Sequence, residues 1–489
     1  MNFFLRYLLF LVLAIPVAAA RPDALAGKIR QIAESEAMYC DFSGVVCVAQ
    51  GDTVVYQGAF GYANRDFQVP NTLLTKFNIG SITKTLTALA VVQLSAQGKI
   101  DVRAPLAAYL PDCPIPEKAE ITIDQLLTHS SGLYDFSNSD VIFELLQDKR
   151  SISDFIPYVY GRGLLFKPGS DVSYSSGGYV LLGAVVEKVT GKSYGQYIRD
   201  SILEPAGMPN SAILFAEDVS PNKAEGYKPV GRGRFLNRKL LDFPGSSAGG
   251  LFTTASDLWN YVRALWGNRL LSREYRELLL APKSKEAAGR GKAAYGWWRD
   301  SINGRDIVYH TGGTPGFSSN LTVFPESGHV AIVLSNSWRG TTGIADAINA
   351  AITGGFYEPA DQNTLSLRKA VDAYYNGDPR EALRLIDEIL ASDKPSRRAY
   401  YFSAVSRLAL NIEPQKALLD LDRFIALTDP GLQKTLSAAW LAKGEILEKS
   451  DRPEDALAAY RKSLELDPGE EKARAAIDRL KKVPARGAA

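Results

Sequence analysis

The sequence predicts an α+β domain, in which a sheet is built from distant segments around an inserted helical lobe, followed by an all-α repeat domain. Two observations predict the first domain. Strand signals occur at residues 44–60 and return at 306–335, and the long segment between them is helix-rich. A third predicts the second domain, because alanines and prolines beyond residue 360 recur every 35 to 39 residues. At 489 residues the chain is too long for one ordinary core, which also indicates at least two domains.

The strands of the first domain are predicted from short runs rich in β-branched or aromatic residues, bounded by turns such as Gly51-Asp52 and Asn303-Gly304. They are expected at residues 44–50, 53–60, 306–310, 319–324 and 330–335. Helices are expected at 24–38, before the first strand, and at 342–352, after the last. Because strands stand at both ends and helices between them, the middle of the domain is predicted to form a second lobe.

The repeat signal follows a linker predicted at residues 358–364. Its markers are Ala382, Ala417 and Ala456 together with Pro395, Pro430 and Pro468. This pattern resembles the tetratricopeptide repeat, whose period is about 34 residues. We expect residues 365–489 to form three helix pairs and a capping helix at 470–483, with a protein partner as the occupant of the repeats. The alternative is a plain helical extension without a binding groove.

The first twenty residues predict a signal peptide rather than part of the fold. Arg6 supplies a basic start, Leu8 to Val17 is apolar, and Ala18-Ala19-Ala20 is a small-residue cleavage site. The mature protein, starting with a domain at residues 21–357, is therefore expected to be exported, either periplasmic or secreted, without a stable membrane span. A signal anchor that stays in the membrane is the alternative.

Composition excludes several other classes of function. The formal net charge is +2, too small to attract nucleic acid strongly. There are three histidines and no Cys-x-x-Cys, so no metal or other cofactor is expected. Cys40, Cys47 and Cys113 allow one disulfide at most, and the sequence leaves the pairing open.

Ser81-Ile82-Thr83-Lys84 is the strongest candidate for chemistry. Ser81 and Lys84 stand three residues apart at the start of a predicted helix, 81–97, and so share one face of it. The helix N-terminus favours an alkoxide at Ser81 and disfavours a second cation, which helps Lys84 to lose its proton and activate the hydroxyl. Ser-x-x-Lys also occurs at Ser220 and Ser366, but only the first copy opens a long apolar helix.

Two further segments carry groups suited to the same chemistry. Tyr174 in Tyr174-Ser175-Ser176 precedes an apolar helix and can relay protons. His310-Thr311-Gly312-Gly313 is expected at the end of a strand, where glycines allow close approach of a substrate and an N–H group can face an oxyanion. The plainer alternatives are a tyrosine that caps a loop and a surface histidine in a strand-end turn.

Together these segments resemble the serine β-lactamase-related and penicillin-binding-protein-like hydrolases, which include class C β-lactamases, D-alanyl-D-alanine carboxypeptidases and esterases. That family has Ser-x-x-Lys, Tyr-x-Asn and Lys- or His-Thr-Gly in this order. Connecting segments match as well: 126–133, 166–169, 203–208 and 248–251. The resemblance covers about residues 25–352. It implies an antiparallel sheet flanked by helices with an inserted helical lobe, and a site between them.

The resemblance also implies roles for individual residues. Ser81 becomes the acylated nucleophile, Lys84 and Tyr174 share the proton transfers, and either of them is left open as the general base. Ser176, His310 and Gly312 would contact the substrate, and the N–H groups of Ser81 and Gly313 would form the oxyanion hole. The implied reaction is cleavage of an amide or ester bond in a peptide or other small molecule, by a peptidase, an esterase or a weak β-lactamase.

Two positions depart from the family pattern. Ser176 stands where the family usually has Asn, and it lacks the paired donor and acceptor of an amide. His310 replaces the Lys of most β-lactamases. With an ordinary pKa near ~6.5 it would be mostly neutral at pH 7, so binding of an anionic substrate is expected to strengthen below roughly pH 6.5. His129 is interpreted as structural.

Two rival functions remain open in the sequence. Gly245-Ser246-Ser247-Ala248-Gly249 matches the Gly-x-Ser-x-Gly of α/β-hydrolases, although the residues before it are poor strand sequence. The other rival is a catalytically weak or inactive penicillin-binding-like protein, which binds ligands and acts as a scaffold with the repeats.

Overall fold

The computed structural model describes residues 22–138, 151–160, 163–214, 218–231, 234–237, 245–287, 290–338, 340–341, 343–357, 359–392, 395–428, 430 and 432–481. The predicted signal peptide lies outside the described residues. Contacts divide the chain into two compact units, with the boundary between Pro359 and Ala360. We call them the N-terminal unit and the repeat unit.

An eight-stranded antiparallel sheet organises the N-terminal unit. Its order is β10-β11-β12-β13-β14-β15-β1-β2, so strands from opposite ends of the unit are neighbours. The sheet strands are β1 (Gly44–Gln50), β2 (Thr53–Phe60), β10 (Glu286–Ala287), β11 (Gly291–Ala293), β12 (Trp298–Ile302), β13 (Arg305–Thr314), β14 (Phe317–Phe324) and β15 (His329–Ser335). Shorter strands lie outside it: β3 (Tyr62–Asn64), β4 (Val69–Pro70), β5 (Phe77–Asn78), β6 (Ala212–Ile213), β7 (Tyr227–Gly231), β8 (Arg234–Asn237) and β9 (Leu251–Thr253).

The centre of the sheet is buried on both faces. In β1 the side chains alternate, so that Val45 and Cys47 enter the main core while Val46 and Val48 enter a second core on the opposite face. β15 shows the same alternation. Because both faces are covered, these strands are almost continuously apolar, which explains why the sequence signal for them is strong.

Helices cover both faces and build the inserted lobe. The helix α1 (Pro22–Tyr39) contributes Ile29 and Ile32 to the second core. The helices that follow in the N-terminal unit are α2 (Thr83–Ala96), α3 (Ile123–Leu127), α4 (Ile152–Val159), α5 (Ser176–Thr190), α6 (Tyr194–Ile198), α7 (Glu204–Ala206), α8 (Ala255–Trp266), α9 (Arg273–Leu280) and α10 (Ile344–Thr353). The predicted α+β class, with a sheet from distant segments and helices between them, is confirmed.

The repeat unit consists of antiparallel helix pairs. Its helices are α11 (Thr364–Tyr375), α12 (Pro379–Leu390), α13 (Arg397–Leu410), α14 (Pro414–Leu427), α15 (Gln433–Lys449), α16 (Pro453–Leu466) and α17 (Glu471–Lys481). The marker residues Ala382, Ala417 and Ala456 are all buried, and Ala417 and Ala456 belong to the apolar core of the repeat unit. A small side chain at these positions lets helices approach closely, which gives the sequence period its physical cause.

Cys47 and Cys113 are buried and are free thiols in the structure. Among the described residues, no helix combines the length and the apolar character that crossing a membrane requires.

Candidate active site

Ser81 lies in a tight turn that leads into α2. A 3-10 turn, Gly80–Ile82, precedes the helix, so the serine stands just before its first turn. The Thr83 hydroxyl donates to the Gly80 carbonyl at 2.7 Å, and the Ile79 N–H donates to the Leu251 carbonyl at 2.9 Å. These bonds fix the turn, and Ser81 remains partly exposed to solvent.

Strand β13 runs directly beside this turn. A Cβ on Gly312 would lie 1.9 Å from the Ile79 carbonyl oxygen, so only glycine fits there. Gly80 has φ of +50°, and a Cβ on it would lie 2.7 Å from the Gly313 nitrogen. The close packing brings Gly313 beside the serine turn. A Cβ on Gly313 itself would meet nothing within 4 Å, so this side of the strand is open.

Lys84 is completely buried and contacts the serine. Its Nζ lies 3.0 Å from Ser81 Oγ, 2.6 Å from the Ala248 carbonyl oxygen and 3.4 Å from Ser176 Oγ. Burial lowers the pKa of Lys84 to about 7, Asp135 acts in the opposite direction, and Arg290 lowers this pKa further. A substantial fraction of Lys84 is therefore neutral at pH 7, which is the state that can accept a proton.

Tyr174 and Ser176 complete the group around the lysine. The side chains of Ser81 and Ser176 lie close enough to the Tyr174 hydroxyl to lower its pKa. Its ring centre lies 4.9 Å from Lys84 Nζ. Burial raises the pKa of Tyr174 and Asp135 raises it further, outweighing the opposite effects of Ser81, Arg290 and Ser176, so the phenol stays protonated at neutral pH. Ser176 begins α5 and is buried.

His129 supports the tyrosine loop. Its Nδ1 accepts a hydrogen bond from the Ser175 N–H at 3.2 Å, and its ring stacks on Trp298 with centroids 5.8 Å apart. The rings of His129 and Tyr174 are 4.5 Å apart. Burial, with the Lys84 cation as the next contribution, lowers the pKa of His129 well below its ordinary value, so the imidazole is neutral. This geometry agrees with a structural role.

His310 differs in position from its sequence-based expectation, because it lies within β13 rather than at a strand end. It is also buried, which excludes the plainer alternative of a surface histidine. Burial, followed by the Lys84 charge, lowers its pKa to about 3. The expected strengthening of anionic substrate binding below pH 6.5 is therefore wrong for this structure, because His310 stays neutral through that range.

Two charged residues near the site belong to none of the sequence motifs. The Asp135 carboxylate is buried and accepts the Ser176 N–H at 3.1 Å. The Arg290 guanidinium carbon lies 4.8 Å from the Tyr174 ring centre and is exposed to solvent. Asp135 follows the matching segment 126–133, but nothing local marks it as a neighbour of Lys84. Only the tertiary fold brings these two residues to the lysine.

The rival serine nucleophile is inaccessible. Ser247 is fully buried, and a Cβ on Gly183 would lie 2.2 Å from its Oγ. The Gly245–Gly249 segment is followed by the short strand β9 rather than by a helix. An α/β-hydrolase elbow requires an exposed serine between a strand and a helix, so the geometry does not support this alternative.

Comparisons with known proteins point to one family. The family described as Beta-lactamase matches residues 30–354, and two tetratricopeptide repeat families match residues 367–430 and 437–470. "Penicillin-binding protein 4*" of Bacillus subtilis (strain 168) is 26% identical over 76% of this chain and 86% of its own. "Putative penicillin-binding protein PbpX" of the same organism is 29% identical over 60% of this chain and 70% of its own.

Solved structures give the same result. The penicillin binding protein from Bacillus halodurans has a TM-score of 0.60 at 29% identity, covering 65% of this chain and 97% of the other. D-amino acid amidase from Ochrobactrum anthropi SV3, at a TM-score of 0.59 and 22% identity over 68% of this chain and 99% of the other, shares the fold. The chain therefore belongs to the β-lactamase family, which penicillin-binding-protein-like relatives share, and carries C-terminal tetratricopeptide repeats.

Proposed function

We propose that the protein is an exported serine hydrolase, which cleaves an amide or ester bond through an acyl-enzyme on Ser81, with Lys84 as the general base. The observation that carries the proposal is the buried Lys84 Nζ 3.0 Å from Ser81 Oγ. Its pKa of about 7 gives a base that is available near neutrality. Tyr174 is a poor alternative as base because its pKa is raised, but as a protonated phenol it is a suitable donor.

The proposed reaction has two halves. Ser81 Oγ attacks the carbonyl carbon while its proton passes to Lys84 Nζ, and the N–H groups of Ser81 and Gly313 stabilise the oxyanion. The bond to the leaving group then breaks, and the leaving group takes a proton from the Lys84 ammonium by way of the Tyr174 hydroxyl. In the second half, water gives a proton to Lys84 and attacks the acyl ester. Ser81 leaves with that proton.

The substrate class follows from the groups that line the site. Ser176 provides a hydroxyl in place of the usual Asn amide, and a neutral His310 supplies no charge, so both departures weaken the recognition of β-lactams. We therefore propose small esters and amides, peptides included, as better substrates than β-lactams. Export is proposed on the predicted signal peptide.

The repeat unit is proposed to bind a protein partner. A cavity of about 650 Å³ lies against α14, α15 and α16. Leu419 and Trp440 give it apolar surface, and Lys443 and Arg452 give it charge. A cavity with both kinds of lining suits a peptide segment, whose side chains are mixed in the same way.

Active-site labelling tests the assignment of the nucleophile. Wild-type protein should react with a fluorophosphonate probe and hydrolyse p-nitrophenyl butyrate. Ser81→Ala should abolish labelling and lower hydrolysis roughly 10³-fold or more. Ser247→Ala is the matched control and should retain both, because this buried serine makes no contact with the proposed nucleophile.

Other outcomes would point elsewhere. Labelling that is lost in Ser247→Ala but kept in Ser81→Ala would refute the assignment. A wild-type protein that binds fluorescent penicillin but turns over neither esters nor amides would support the alternative, a penicillin-binding-like scaffold acting with the repeats.

A further inference from the structure

A chain of hydroxyl groups leads from Lys84 to a buried carboxylate. Lys84 Nζ lies 3.4 Å from Ser176 Oγ, which lies 3.3 Å from Ser137 Oγ. The Ser137 hydroxyl donates to Asp135 Oδ1 at 2.9 Å. The same carboxylate oxygen accepts the N–H groups of Ser176 and Ser137, at 3.1 and 3.3 Å. Asp135 therefore accepts hydrogen bonds from both Ser137 and Ser176 and fixes their positions.

The number of N–H groups and lone pairs on neutral Lys84 limits the hydrogen bonds that it can make. A neutral amine has two N–H groups and one lone pair. The Ala248 carbonyl can only accept, so it takes one N–H at 2.6 Å. If Ser176 Oγ accepts the second N–H, the lone pair is free for the Ser81 proton. If the Ser176 hydroxyl instead donates to the amine, it occupies this lone pair and competes with Ser81.

The carboxylate decides which way the Ser176 proton points. Since Asp135 accepts the Ser137 proton, Ser137 Oγ has lone pairs available for the Ser176 proton. Ser176 Oγ then accepts from Lys84, and its second lone pair can accept from the nearby Tyr174 hydroxyl. In this arrangement every polar hydrogen has one acceptor, and the chain runs in one direction from Lys84 to Asp135.

We propose that Asp135, through Ser137, is a positioning residue that orients the Ser176 hydroxyl and thereby reserves the lone pair of Lys84 for Ser81. The inference rests on the proposed role of Lys84 as base. It also assigns a task to Ser176, which stands where the family usually has an amide. A serine there can point its single proton towards either Ser137 or Lys84, so it needs an outside group to fix the direction.

A double-mutant cycle on the full-length protein tests the inference. The rate of fluorophosphonate labelling at pH 8 is measured for Ser137→Ala, Ser176→Ala and the double variant. Ser137→Ala should slow labelling about 10-fold, because the Ser176 proton is then free to occupy Lys84. Removal of the Ser176 hydroxyl removes the competitor, so the double variant should react as fast as Ser176→Ala alone, within about twofold.

Two controls separate positioning from a general structural effect. Ser137→Thr keeps the hydroxyl and should restore labelling to within about threefold of wild type. Ser130→Ala makes the same change in the preceding loop, where the hydroxyl bonds, among the described residues, to Thr128 at 2.9 Å, and should leave labelling unchanged. For p-nitrophenyl butyrate, Ser137→Ala should lower kcat without raising KM, because Ser137 acts on Lys84 through Ser176 rather than on the substrate.

The contrary results are distinct. If the effects of Ser137→Ala and Ser176→Ala multiply in the double variant, Ser137 acts independently of Ser176 and the positioning inference is wrong, while the proposed function stands. If labelling persists in Ser81→Ala, both the proposed function and this inference fall.

Discussion

Among the described residues, each unit buries one lysine or arginine side chain, and the surroundings of these two cations are opposite. Lys84 in the N-terminal unit has uncharged hydrogen-bond partners: two hydroxyls and a carbonyl. Arg407 in the repeat unit, only 1% exposed, meets Asp387 at 2.9 Å and Glu413 at 2.8 Å. Burial alone would lower the pKa of Arg407, but its hydrogen bonds to these carboxylates raise it overall. A buried cationic side chain without a directly bound carboxylate loses its proton more easily and can act as a base. A buried cationic side chain that is paired with carboxylates keeps its charge and stabilises the fold.

Among the tests of this difference between the two buried cations, substitution of Lys84 should have the largest effect. Lys84→Met should lower the rate of Ser81 labelling by about 10² to 10⁴, the usual worth of a general base. The melting temperature should fall only slightly, because no directly bound carboxylate is left unpaired and the main loss is the hydrogen bond to the Ala248 carbonyl. Lys192→Met is the matched control, since this half-exposed lysine pairs with Asp200 at 2.8 Å on the surface. A large loss of stability in Lys84→Met would show that the lysine is structural.

Arg407→Met should show the reverse pattern. Its removal leaves the buried Asp420 without its cation and leaves Asp387 with only the more distant Lys416, at 3.8 Å, which should destabilise the repeat unit by about 3 kcal/mol. Calorimetry should record this as a lower melting temperature for the repeat transition. Below that transition, labelling of Ser81 should be unchanged. Arg384→Met, in an exposed pair with Glu381, is the control and should change the melting temperature little.

The pH dependence of Ser81 labelling tests which charged groups set the pKa of Lys84. Labelling requires the neutral amine, so its rate should rise as pH increases through about 7. The charged groups that act on Lys84 are Asp135, which raises its pKa, and Arg290, which lowers it. The neighbouring rings of His129, His310, Tyr174 and Tyr179 are neutral at this pH.

Asp135→Asn should therefore move the rise to lower pH, and Arg290→Gln to higher pH, each by up to about one unit. Shifts in the same direction would mean that altered packing, rather than charge, controls the lysine. The labelling rate measured from pH 5 to 10 on both variants provides the comparison.

The smallest expected effect concerns substrate charge. With the pKa of His310 at about 3, the ratio of KM for a carboxylate-bearing ester to KM for a neutral ester should have the same pH dependence between pH 5 and 8 in the wild type and in His310→Gln, so any step in that range belongs to Lys84. His310→Lys places an amine of higher ordinary pKa at this buried position, which should be charged at the acidic end of the range and lower the ratio there roughly fivefold. A step near pH 6.5 in the wild type that His310→Gln abolishes would show that His310 titrates in its ordinary range.

The fold and the family were predictable from sequence because their signals are local or periodic. Strands buried on both faces are nearly continuous apolar runs, and the alanines of the repeats recur at buried positions of successive helix pairs. The positions of Ser81, Lys84 and Tyr174 as neighbours followed from ordered motifs. The other neighbours of Lys84 could not be predicted from the sequence. Asp135, Arg290 and the Ala248 carbonyl reach it only through tertiary packing. His310 was placed at a strand end because its two glycines read as a turn, yet β13 continues through them.

The position of β1 in the sheet has a consequence for biosynthesis. One edge of β1 pairs with β2, directly after it, but the other pairs with β15, where Gly44 faces Ser335. During translation this second edge has no partner until about 285 further residues have been made, which takes roughly 15 to 60 s at ordinary ribosome speeds. For that time an apolar strand edge can recruit other nascent chains. We therefore expect the yield of soluble protein to depend on a holding chaperone, or on a secretion channel that keeps the chain extended until β15 is available.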